Sequence, residues 1–395
     1  MTRNFDFIIL GAGAAGLSLL MRMIDSTHFL NKNILLIDKE PKSKNDRTWC
    51  FWENKKGFFE DVIYRKWDQL DFYSDKFSGD LKIHPYQYKM IRGLDFYNYC
   101  FQKIHQFPNI EVKYGDVRSV VSDGKQVSIR INDEILTCVN TTVFNSFYKP
   151  KDVLQERTVN GQRSTGKDLS LKLLQHFKGW LIETDSPAFN AGRATLMDFR
   201  VHQRYGTSFI YVLPISETRA LIEYTLFTPQ TLYAQQYDFE LQDYISKFLG
   251  LRNFRIMEEE LGIIPMTNKK FHFFENGMYN IGIAGGQTKA STGYTFQFIQ
   301  KQSQAIVDCL IADQDLSGLS GEPGRFHFYD SVLLQLLLSD GLSGKEIFTR
   351  LFEKNNSSKI FKFLDNESSI AEELRLIASL QKVPFLEAAF KLIFR

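Results

Sequence analysis

A glycine-rich turn near the N-terminus constrains the fold more than any other feature of the sequence. Residues 5–10 read FDFIIL, a buried type of strand. They lead directly into GAGAAG at 11–16, which the helical pattern LSLLMRMID follows. In this strand–turn–helix context a GxGxxG motif allows a tight turn and a close approach of the backbone to a pyrophosphate, which the helix N-terminus attracts. The predicted contacts to a dinucleotide are Gly11, Gly13, Ala14, Ala15 and Gly16.

A second strand supports this interpretation of the motif. Residues 33–37 read NILLI, and the strand ends in Asp38, at about the distance where an acidic residue meets the ribose hydroxyls of a dinucleotide. We therefore expect Asp38 and its neighbour Lys39 to contact the cofactor. The alternative is a βαβ unit whose small residues serve packing alone.

A later glycine-rich segment favours FAD over NAD as the dinucleotide. The motif opens the chain, and residues 279–295 read YNIGIAGGQTKASTGYT, followed by a helical pattern from 295 to 312. We predict that NIGIAGG is a strand and that the next helix N-terminus faces the flavin or an anion. Taken alone, glycines at a strand end are also ordinary turn residues. The predicted flavin contacts in this segment are Gly285, Gly286, Thr292, Gly293 and Tyr294.

Composition excludes several classes of function. Lys and Arg number 48 against 46 for Asp and Glu, so the net charge of +2 predicts no nucleic-acid partner. The four cysteines lie far apart, which indicates a reducing, cytoplasmic location, and the seven histidines lack metal-ligand spacing, so no metal is predicted. The N-terminus is not typical of a signal peptide, and the sequence has no apolar run long enough for a membrane span.

The remaining patterns predict an α/β fold with three parts. A helix is expected over 86–106, a β-meander over 111–138 and a strand at 141–145. The segments KGWLIETD, ATLMDFRV, TSFIYVLPI and RALIEYTLF then predict antiparallel strands, with a helix at about 237–249. The predicted domains are a discontinuous Rossmann-type FAD-binding domain (1–150 and 275–325), an inserted antiparallel β-sheet substrate domain (151–274) and a C-terminal helical region (326–395).

Five segments in this order resemble the flavin-dependent lycopene cyclases, specifically the bacterial lycopene β-cyclase branch. They are NDRTWCFWE at 45–53, LLQHFKGWLIET at 173–184, LMDFR at 196–200, LIEYT at 221–225 and ASTGYT at 290–295. The resemblance covers nearly the whole chain. It implies bound FAD that is active when reduced, NADPH as the reductant, and conversion of the acyclic ends of lycopene to β-ionone rings without net oxidation.

Two positions depart from the pattern of that family. The glutamate motif of the family often carries a second acidic residue, and this chain has Tyr224 in its place. A histidine commonly precedes the last motif, and this chain has Lys289. The departures question a helper role for a second carboxylate and a proton relay through position 289.

The resemblance and the chemistry together select the reacting residues. Cyclisation needs a carboxyl group that is protonated near neutral pH, which burial in an apolar pocket achieves. We expect Glu223 to be this acid, with Asp198 supporting or orienting it. The alternatives are a solvent-facing glutamate on an alternating strand, and an ion pair of Asp198 with Arg200.

The aromatic stretch at 45–53 is expected to serve the substrate. As π-faces stabilise a carbocation, Trp49, Phe51 and Trp52 are predicted to build the polyene tunnel together with Tyr224. Arg47 and Glu53 are predicted to anchor this loop against the flavin or the sheet. The alternative is that the tryptophans fill the gap between the nucleotide domain and the sheet.

The insolubility of lycopene predicts peripheral contact with the inner face of the cell membrane. The apolar segment VLLQLLL at 332–338, with Lys354, Lys359 and Lys362, is one possible interfacial surface, although apolar helices are more often core.

Two other functions stay open: a flavin reductase or monooxygenase acting on another isoprenoid, and a polyisoprenoid carrier. The sequence leaves undecided the number of ends cyclised, β against ε rings, the final proton acceptor and the oligomeric state.

Overall fold

The structure is a computed structural model that describes residues 4–123, 125–148, 158–159, 162–163, 170–319, 324–339 and 341–394. The predicted start of the inserted domain at 151 and the glycine of the predicted turn at 123–124 lie outside these residues. Within them, the predicted α/β architecture of a Rossmann-type unit, an antiparallel sheet and C-terminal helices is confirmed.

The secondary structure of the described residues is numbered here along the chain. The strands are β1 (Phe7–Leu10), β2 (Ile34–Asp38), β3 (Thr48–Glu53), β4 (Arg65–Trp67), β5 (Gln69–Tyr73), β6 (Ser78–Leu81), β7 (Gln87–Arg92), β8 (Ile110–Tyr114), β9 (Val117–Ser122), β10 (Gln126–Ile131), β11 (Glu134–Val139), β12 (Thr142–Asn145), β13 (Thr158–Val159), β14 (Gln162–Arg163), β15 (Lys172–Glu183), β16 (Arg193–Asp198), β17 (Thr207–Pro214), β18 (Arg219–Thr228), β19 (Arg255–Thr267), β20 (Phe274–Glu275) and β21 (Met278–Asn280). The α-helices are α1 (Ala14–Asp25), α2 (Gly93–Ile104), α3 (Ala234–Lys247), α4 (Phe296–Ile311), α5 (Arg325–Leu337), α6 (Gly344–Lys354), α7 (Ser357–Leu364), α8 (Ile370–Ala378) and α9 (Lys382–Ile393).

The nucleotide-binding unit is built on the sheet β20-β21-β12-β1-β2-β8, in which β21, β12, β1, β2 and β8 run parallel. Strands β1 and β2 are buried along their whole length, which explains their continuous apolar sequences. Helices α1 and α4 pack on one face of this sheet in a common apolar core. The strand predicted at 141–145 and the helix predicted at 295–312 are confirmed as β12 and α4.

The second large sheet has the order β19-β15-β18-β17-β16-β5-β6, and its pairs are antiparallel except β16 with β5. The four strands predicted from alternation and the helix predicted near 237–249 are confirmed as β15 to β18 and α3. Helix α3 covers the outer face, and α5 to α7 contribute to the core on the inner face. The predicted domain ranges stay a prediction, but β5 and β6 join this sheet from within 1–150.

Several local predictions were wrong at their boundaries. The predicted helix 86–106 begins as strand β7 and becomes helical only at Gly93. Of the predicted meander, β8 joins the parallel sheet, and β9 to β11 form a separate antiparallel sheet. The predicted strand NIGIAGG ends at Asn280 and continues as a 3-10 helix over Gly282–Gly285. Gly282 adopts a left-handed φ angle that a strand does not allow, and Gly286, also left-handed, ends the 3-10 helix.

Most of the aromatic segment at 45–53 is a strand, β3 (Thr48–Glu53), rather than a loop. Strand β3 pairs with β7, and its two faces enter two different cores. Trp49 and Phe51 point towards the nucleotide unit, where the Phe51 ring stacks on Phe296 with centroids 4.5 Å apart. Trp52 points towards the large sheet and stacks on Phe361 at 4.4 Å. The two faces of β3 contact two different apolar cores, which explains the run of aromatic residues.

The C-terminal helices present an apolar face that differs from the predicted one. Within VLLQLLL, the side chains of Val332, Leu334 and Leu336 are the buried ones, on the side of α5 that packs against the rest of the protein. The large exposed apolar side chains lie instead on the last two helices: Ile370, Leu374, Val383, Leu386, Phe390, Ile393 and the following Phe394. No helix in the described ranges is long and apolar enough to cross a membrane.

Candidate active site

One cavity of about 580 Å³ connects the glycine-rich turn with the inner face of the large sheet. Gly11, Gly13 and Asp38 line it at the nucleotide end, and Glu223 and Glu260 line it at the sheet end. The cavity therefore contains both the glycine-rich turn and two carboxyl groups.

The nucleotide end has the geometry of a pyrophosphate site. Gly13 is the N-cap residue of α1 and has no side chain that could cover the helix N-terminus. A Cβ atom added at Gly13 would have no atom within 4 Å. A Cβ at Gly16 would lie 1.9 Å from the carbonyl oxygen of Gly11, so this glycine permits the close packing of turn and helix. Asp38 accepts hydrogen bonds from the Ala12 amide (2.6 Å) and from Lys42 Nζ (3.0 Å). The N-terminus of α1 thus faces open space inside the cavity.

The second glycine-rich segment contributes the turn that precedes α4. Gly293 has φ +72°, and a Cβ there would lie 2.0 Å from Gln175 Oε1. Gln175 Oε1 and Thr292 Oγ1 line the cavity and are buried with no hydrogen-bond partner among the described residues. Buried polar atoms without partners are costly, so they fit a polar ligand at this position.

Lys289 holds this turn through a buried ion pair. Its Nζ lies 2.9 Å from Asp330 Oδ1 and donates a hydrogen bond to Asn366 Oδ1 at 2.8 Å. Ser291 also donates to Asp330, at 2.6 Å. Lys289 is committed to α5 and to the loop after α7, so its position in the structure is that of an anchor for the cavity wall.

Glu223 faces the cavity from β18. Neighbouring side chains on a strand alternate between faces, and Leu221, Glu223 and Thr225 share the inner face. The Thr225 hydroxyl donates to Glu223 Oε1 at 2.6 Å. Burial raises the pKa of the Glu223 carboxyl well above its usual range, and the nearby charge of Glu260 raises it further. Both effects favour the protonated form of the Glu223 carboxyl group.

Glu260 is a second cavity carboxyl group that the sequence patterns did not identify. It lies on β19, a 13-residue strand whose first half reads RIMEEE and is mostly exposed, so its alternation is weak. Its Oε2 atom accepts a hydrogen bond from Thr48 Oγ1 at 2.8 Å. Residues 261–265 of the same strand also line the cavity, so no alternation in the sequence singles out Glu260.

Aromatic rings form much of the wall between the two ends of the cavity. Phe177 and Tyr211 belong to the large sheet, Tyr88 to β7, and Trp49 to β3. Tyr294 completes this wall from the second glycine-rich segment and makes an edge contact with Trp52 at 4.5 Å. Such a wall suits an apolar ligand and offers π-faces to a cationic centre.

Comparison with known proteins agrees with this geometry. The model of the family described as lycopene cyclase protein matches residues 6–390. The chain belongs to the lycopene cyclase protein family. It is 27% identical to the lycopene beta-cyclase of Paracoccus sp. (strain N81106 / MBIC 01143) over 238 residues, which cover 53% of this chain and 57% of that protein. It is 22% identical to the lycopene beta-cyclase of Pantoea ananas, with 98% of each chain covered.

The fold of this lycopene cyclase family member is shared with a geranylgeranyl bacteriochlorophyll reductase-like protein from Thermoplasma acidophilum. The two structures superpose with a TM-score of 0.67 at 13% identity, and 98% of each chain is covered. The likeness supports the fold class of a Rossmann-type α/β protein with C-terminal helices.

The cyclase-family cavity brings together many of the predicted site residues. Lys39 is exposed and is not part of the wall, where Lys42 lies instead. Gly285 and Gly286 pack behind the cavity, against the Asn280 carbonyl group and the Phe271 ring. The predicted residues that line the cavity are Gly11, Gly13, Ala14, Ala15, Asp38, Arg47, Trp49, Glu223, Thr292, Gly293 and Tyr294.

Asp198 and Tyr224 need correction, because both lie on the outer face of the sheet. Asp198 is fully buried, forms an ion pair with Arg200 at 2.5 Å and accepts a hydrogen bond from Tyr244 on α3 at 2.7 Å. The Tyr224 ring packs edge-on to Tyr237 of α3. As Glu223 points inwards, alternation directs its neighbour at 224 outwards, so a carboxylate at 224 would also miss the cavity.

Phe51 and Trp52 border a neighbouring cavity of about 600 Å³ rather than the one that contains Glu223. Trp52 also donates from Nε1 to Asp365 Oδ2 at 2.7 Å, which connects β3 with the C-terminal helices. Of the three predicted tunnel rings on β3, the structure thus places only Trp49 at the wall of the larger cavity.

Proposed function

We propose that this chain is a lycopene β-cyclase that binds FAD in its reduced form and catalyses a net non-redox ring closure. The observation that carries the proposal is the position of Glu223 in an aromatic cavity that begins at the glycine-rich turn, where burial raises the pKa of its carboxyl group. An apolar polyene is a natural ligand for such a wall.

The chemistry that we assign to Glu223 is general acid catalysis. Its O–H bond breaks as the proton adds to the terminal C1–C2 double bond of the polyene, and the resulting tertiary cation closes the ring. Loss of one proton from the new ring restores neutrality, so no electron is gained or lost. Tyr211 and Tyr294 line the same cavity, and aromatic rings stabilise a cation without reacting with it.

The residues at the nucleotide end of the cavity are of the types that bind FAD. Gly11, Gly13 and Ala14 would hold the pyrophosphate, Asp38 the ribose, and Thr292 and Gln175 the polar edge of the flavin. When bound in the reduced form, the flavin supplies negative charge close to the cation. NADPH is the reductant that we propose for producing that form.

The proposed function predicts deuterium incorporation without consumption of reductant. Purified protein is incubated anaerobically with FAD, NADPH and lycopene in liposomes made in heavy water, and the pigments are analysed by chromatography and mass spectrometry. We expect a cyclised isomer carrying one solvent deuteron per ring, with no stoichiometric loss of NADPH.

Two outcomes would contradict the cyclase assignment. Hydrogenated or oxygenated products formed with stoichiometric NADPH loss would indicate a reductase or monooxygenase. Unchanged lycopene in the presence of a bound, reducible flavin would direct the search to other isoprenoid substrates.

The Gly13→Ala variant is expected to separate FAD binding from folding. The added methyl group meets no protein atom, so the unfolding temperature of the apoprotein should change little. The same methyl group enters the space in front of the helix N-terminus, and we expect at least a roughly tenfold weaker Kd for FAD, measured by flavin fluorescence. Gly318→Ala, also in open space, is the matched control and should bind FAD as the wild type does.

The exposed apolar face of α8 and α9 supports a peripheral contact with a lipid bilayer. The side chains Val383, Leu386, Phe390 and Ile393 recur at helical spacing, and each is more than 60% exposed. Lys382 and Lys391 lie on the same helix and are exposed. Apolar residues with adjacent basic groups are typical of helices that lie in the interface of an anionic membrane. We propose that this face binds the inner surface of the cell membrane and that lycopene enters the protein from the membrane.

A double variant, Leu386→Glu with Phe390→Glu, is expected to weaken membrane contact selectively. Two carboxylates on the apolar face should reduce co-sedimentation with anionic phospholipid vesicles about tenfold or more, while turnover of detergent-solubilised lycopene stays within twofold. Val121→Glu, at an equally exposed apolar position on β9, serves as control. Unchanged sedimentation of the double variant would contradict the assignment of this face.

A further inference from the structure

Glu223 and Glu260, the two glutamates that line the cavity, lie on the strands on either side of Gly179. Strand β15 lies between β18 and β19, and Gly179 is the register partner of Glu223 on one side and of Glu260 on the other. The two backbones are therefore about 10 Å apart, twice the spacing of neighbouring strands. Because Gly179 has no side chain, the Glu260 side chain extends over it, and the carboxyl groups of Glu260 and Glu223 line the same cavity.

The glycine is required for this arrangement. A Cβ atom at position 179 would lie 3.0 Å from Cγ of Glu260 and 3.1 Å from Cδ1 of Leu221. Any larger side chain would stand between the two carboxyl groups. We call Glu223 and Glu260 the carboxyl pair.

The other contacts of the carboxyl pair are hydroxyl groups. Thr225 donates to Glu223 and Thr48 donates to Glu260, at 2.6 and 2.8 Å. The described salt bridges include none to either glutamate. Oε1 of Glu260 is buried with no donor from elsewhere in the described chain, and a proton held between the two groups is the donor that the pair itself provides.

Two adjacent buried carboxyl groups that form no salt bridge with a cation do not both ionise, because their like charges repel in a desolvated site. Burial raises the pKa of both groups. Each carboxyl group accepts one hydroxyl hydrogen bond, Glu223 from Thr225 and Glu260 from Thr48. The carboxyl pair is therefore expected to hold one proton between its two members.

We propose that Glu260 shares the proton of Glu223 and is the base that accepts the proton lost by the new ring. The inference rests on the proposed cyclase function and adds the acceptor to it. Glu223 gives its proton to the substrate double bond, which leaves two carboxylates. As the ring C–H bond breaks, its electrons form the ring double bond and its proton passes to Glu260. Transfer between the two groups returns a proton to Glu223, so the pair begins and ends each turnover with one proton. Exchange of this proton with solvent between turnovers makes the next donated proton a solvent one.

The proton affinity of the carboxyl pair depends on the groups that face it from neighbouring elements. Cys50 lies on β3, Tyr88 on β7 and Tyr211 on β17, with Tyr294 on the turn before α4. Burial raises the pKa of all four, which keeps them neutral. The charged neighbours that act on Glu260 are Glu258 on its own strand and Arg92 on β7, which form an ion pair at 2.8 Å.

The decisive variant is Glu260→Gln in the FAD-loaded, full-length protein. It removes a negative charge beside Glu223, so the pH at which the Glu223 carboxylic acid ionises should fall by at least about one unit. Infrared difference spectra against Glu223→Gln isolate the C=O band of this acid and follow its titration without lycopene. Cyclisation should slow about a hundredfold or more at equal FAD content, since the amide cannot accept a proton. Glu260→Asp should restore part of both effects.

Glu259→Gln is the matched control, because its side chain belongs to the same strand, points to the opposite face and pairs with Lys178. It should leave the titration and the rate unchanged. An unchanged titration midpoint in Glu260→Gln would overturn the shared proton, and wild-type turnover in that variant would overturn the acceptor role. A lowered midpoint in a protein that never cyclises lycopene would overturn the proposed function and the acceptor step with it, while the shared proton would stand.

Discussion

Glu223→Gln is expected to lower the rate of lycopene cyclisation by a factor of about 10² to 10⁴, the usual contribution of a positioned general acid. The amide keeps the shape of the side chain and can still contact Thr225, but it holds no proton that can be transferred to an alkene. FAD content should stay at the wild-type level, because the carboxyl group lies at the sheet end of the cavity. The measurement is initial rate against bound flavin, with products separated by chromatography.

The same variant separates the remaining functions. Glu217→Gln, in the exposed turn before β18, is a control that should retain full turnover. A carrier of polyisoprenoids would tolerate Glu223→Gln and bind lycopene as before. Full cyclisation by Glu223→Gln would exclude this residue as the acid and return the role to another group in the cavity.

Lys289→Met is expected to destabilise the protein by about 3–5 kcal/mol, because removal of one partner leaves the Asp330 carboxylate buried and uncompensated. Asp330 is only 6% exposed, and Ser291 Oγ would be its remaining side-chain donor. Since the ion pair holds the turn with Thr292, Gly293 and Tyr294, the affinity for FAD should fall as well. Chemical denaturation of the apoprotein measures the free energy of unfolding.

A double-mutant cycle tests whether the loss comes from the pair. Lys289→Met combined with Asp330→Leu removes both charges, and we expect it to be more stable than Lys289→Met alone. Lys301→Met, whose partner Glu367 is about half exposed, is the matched control and should cost less than about 1 kcal/mol. Equal stability of Lys289→Met and wild type would contradict the role of the buried ion pair.

Local patterns were sufficient for the elements that carry them strongly. The Rossmann-type turn, β15 to β18 and α3 were predictable because each has a continuous apolar or alternating signal. The strand β19 was missed because three consecutive glutamates interrupt its alternation, and Glu260 was missed with it. Strand β3 was taken for a loop because a strand with two buried faces shows no alternation.

The sequence contained enough information to predict the orientation of Tyr224 correctly, although Tyr224 was placed in the cavity. Placing Glu223 in the cavity already directs Tyr224 to the outer face, by the two-residue period of a strand. The burial of Asp198 against α3 depended on long-range packing, as Tyr244 is distant from it along the chain.

The glycine-rich turn and the fold class could be predicted from residues that are neighbours along the chain, whereas Glu223 was selected as the acid through the resemblance to the lycopene cyclases. The structure was needed to show that Glu260 lines the cavity with Glu223, that Trp52 contacts the C-terminal helices, and that the exposed apolar residues lie on α8 and α9. Each of these depends on strand register or helix packing between distant segments, which the free energy of the whole fold selects and no local pattern records.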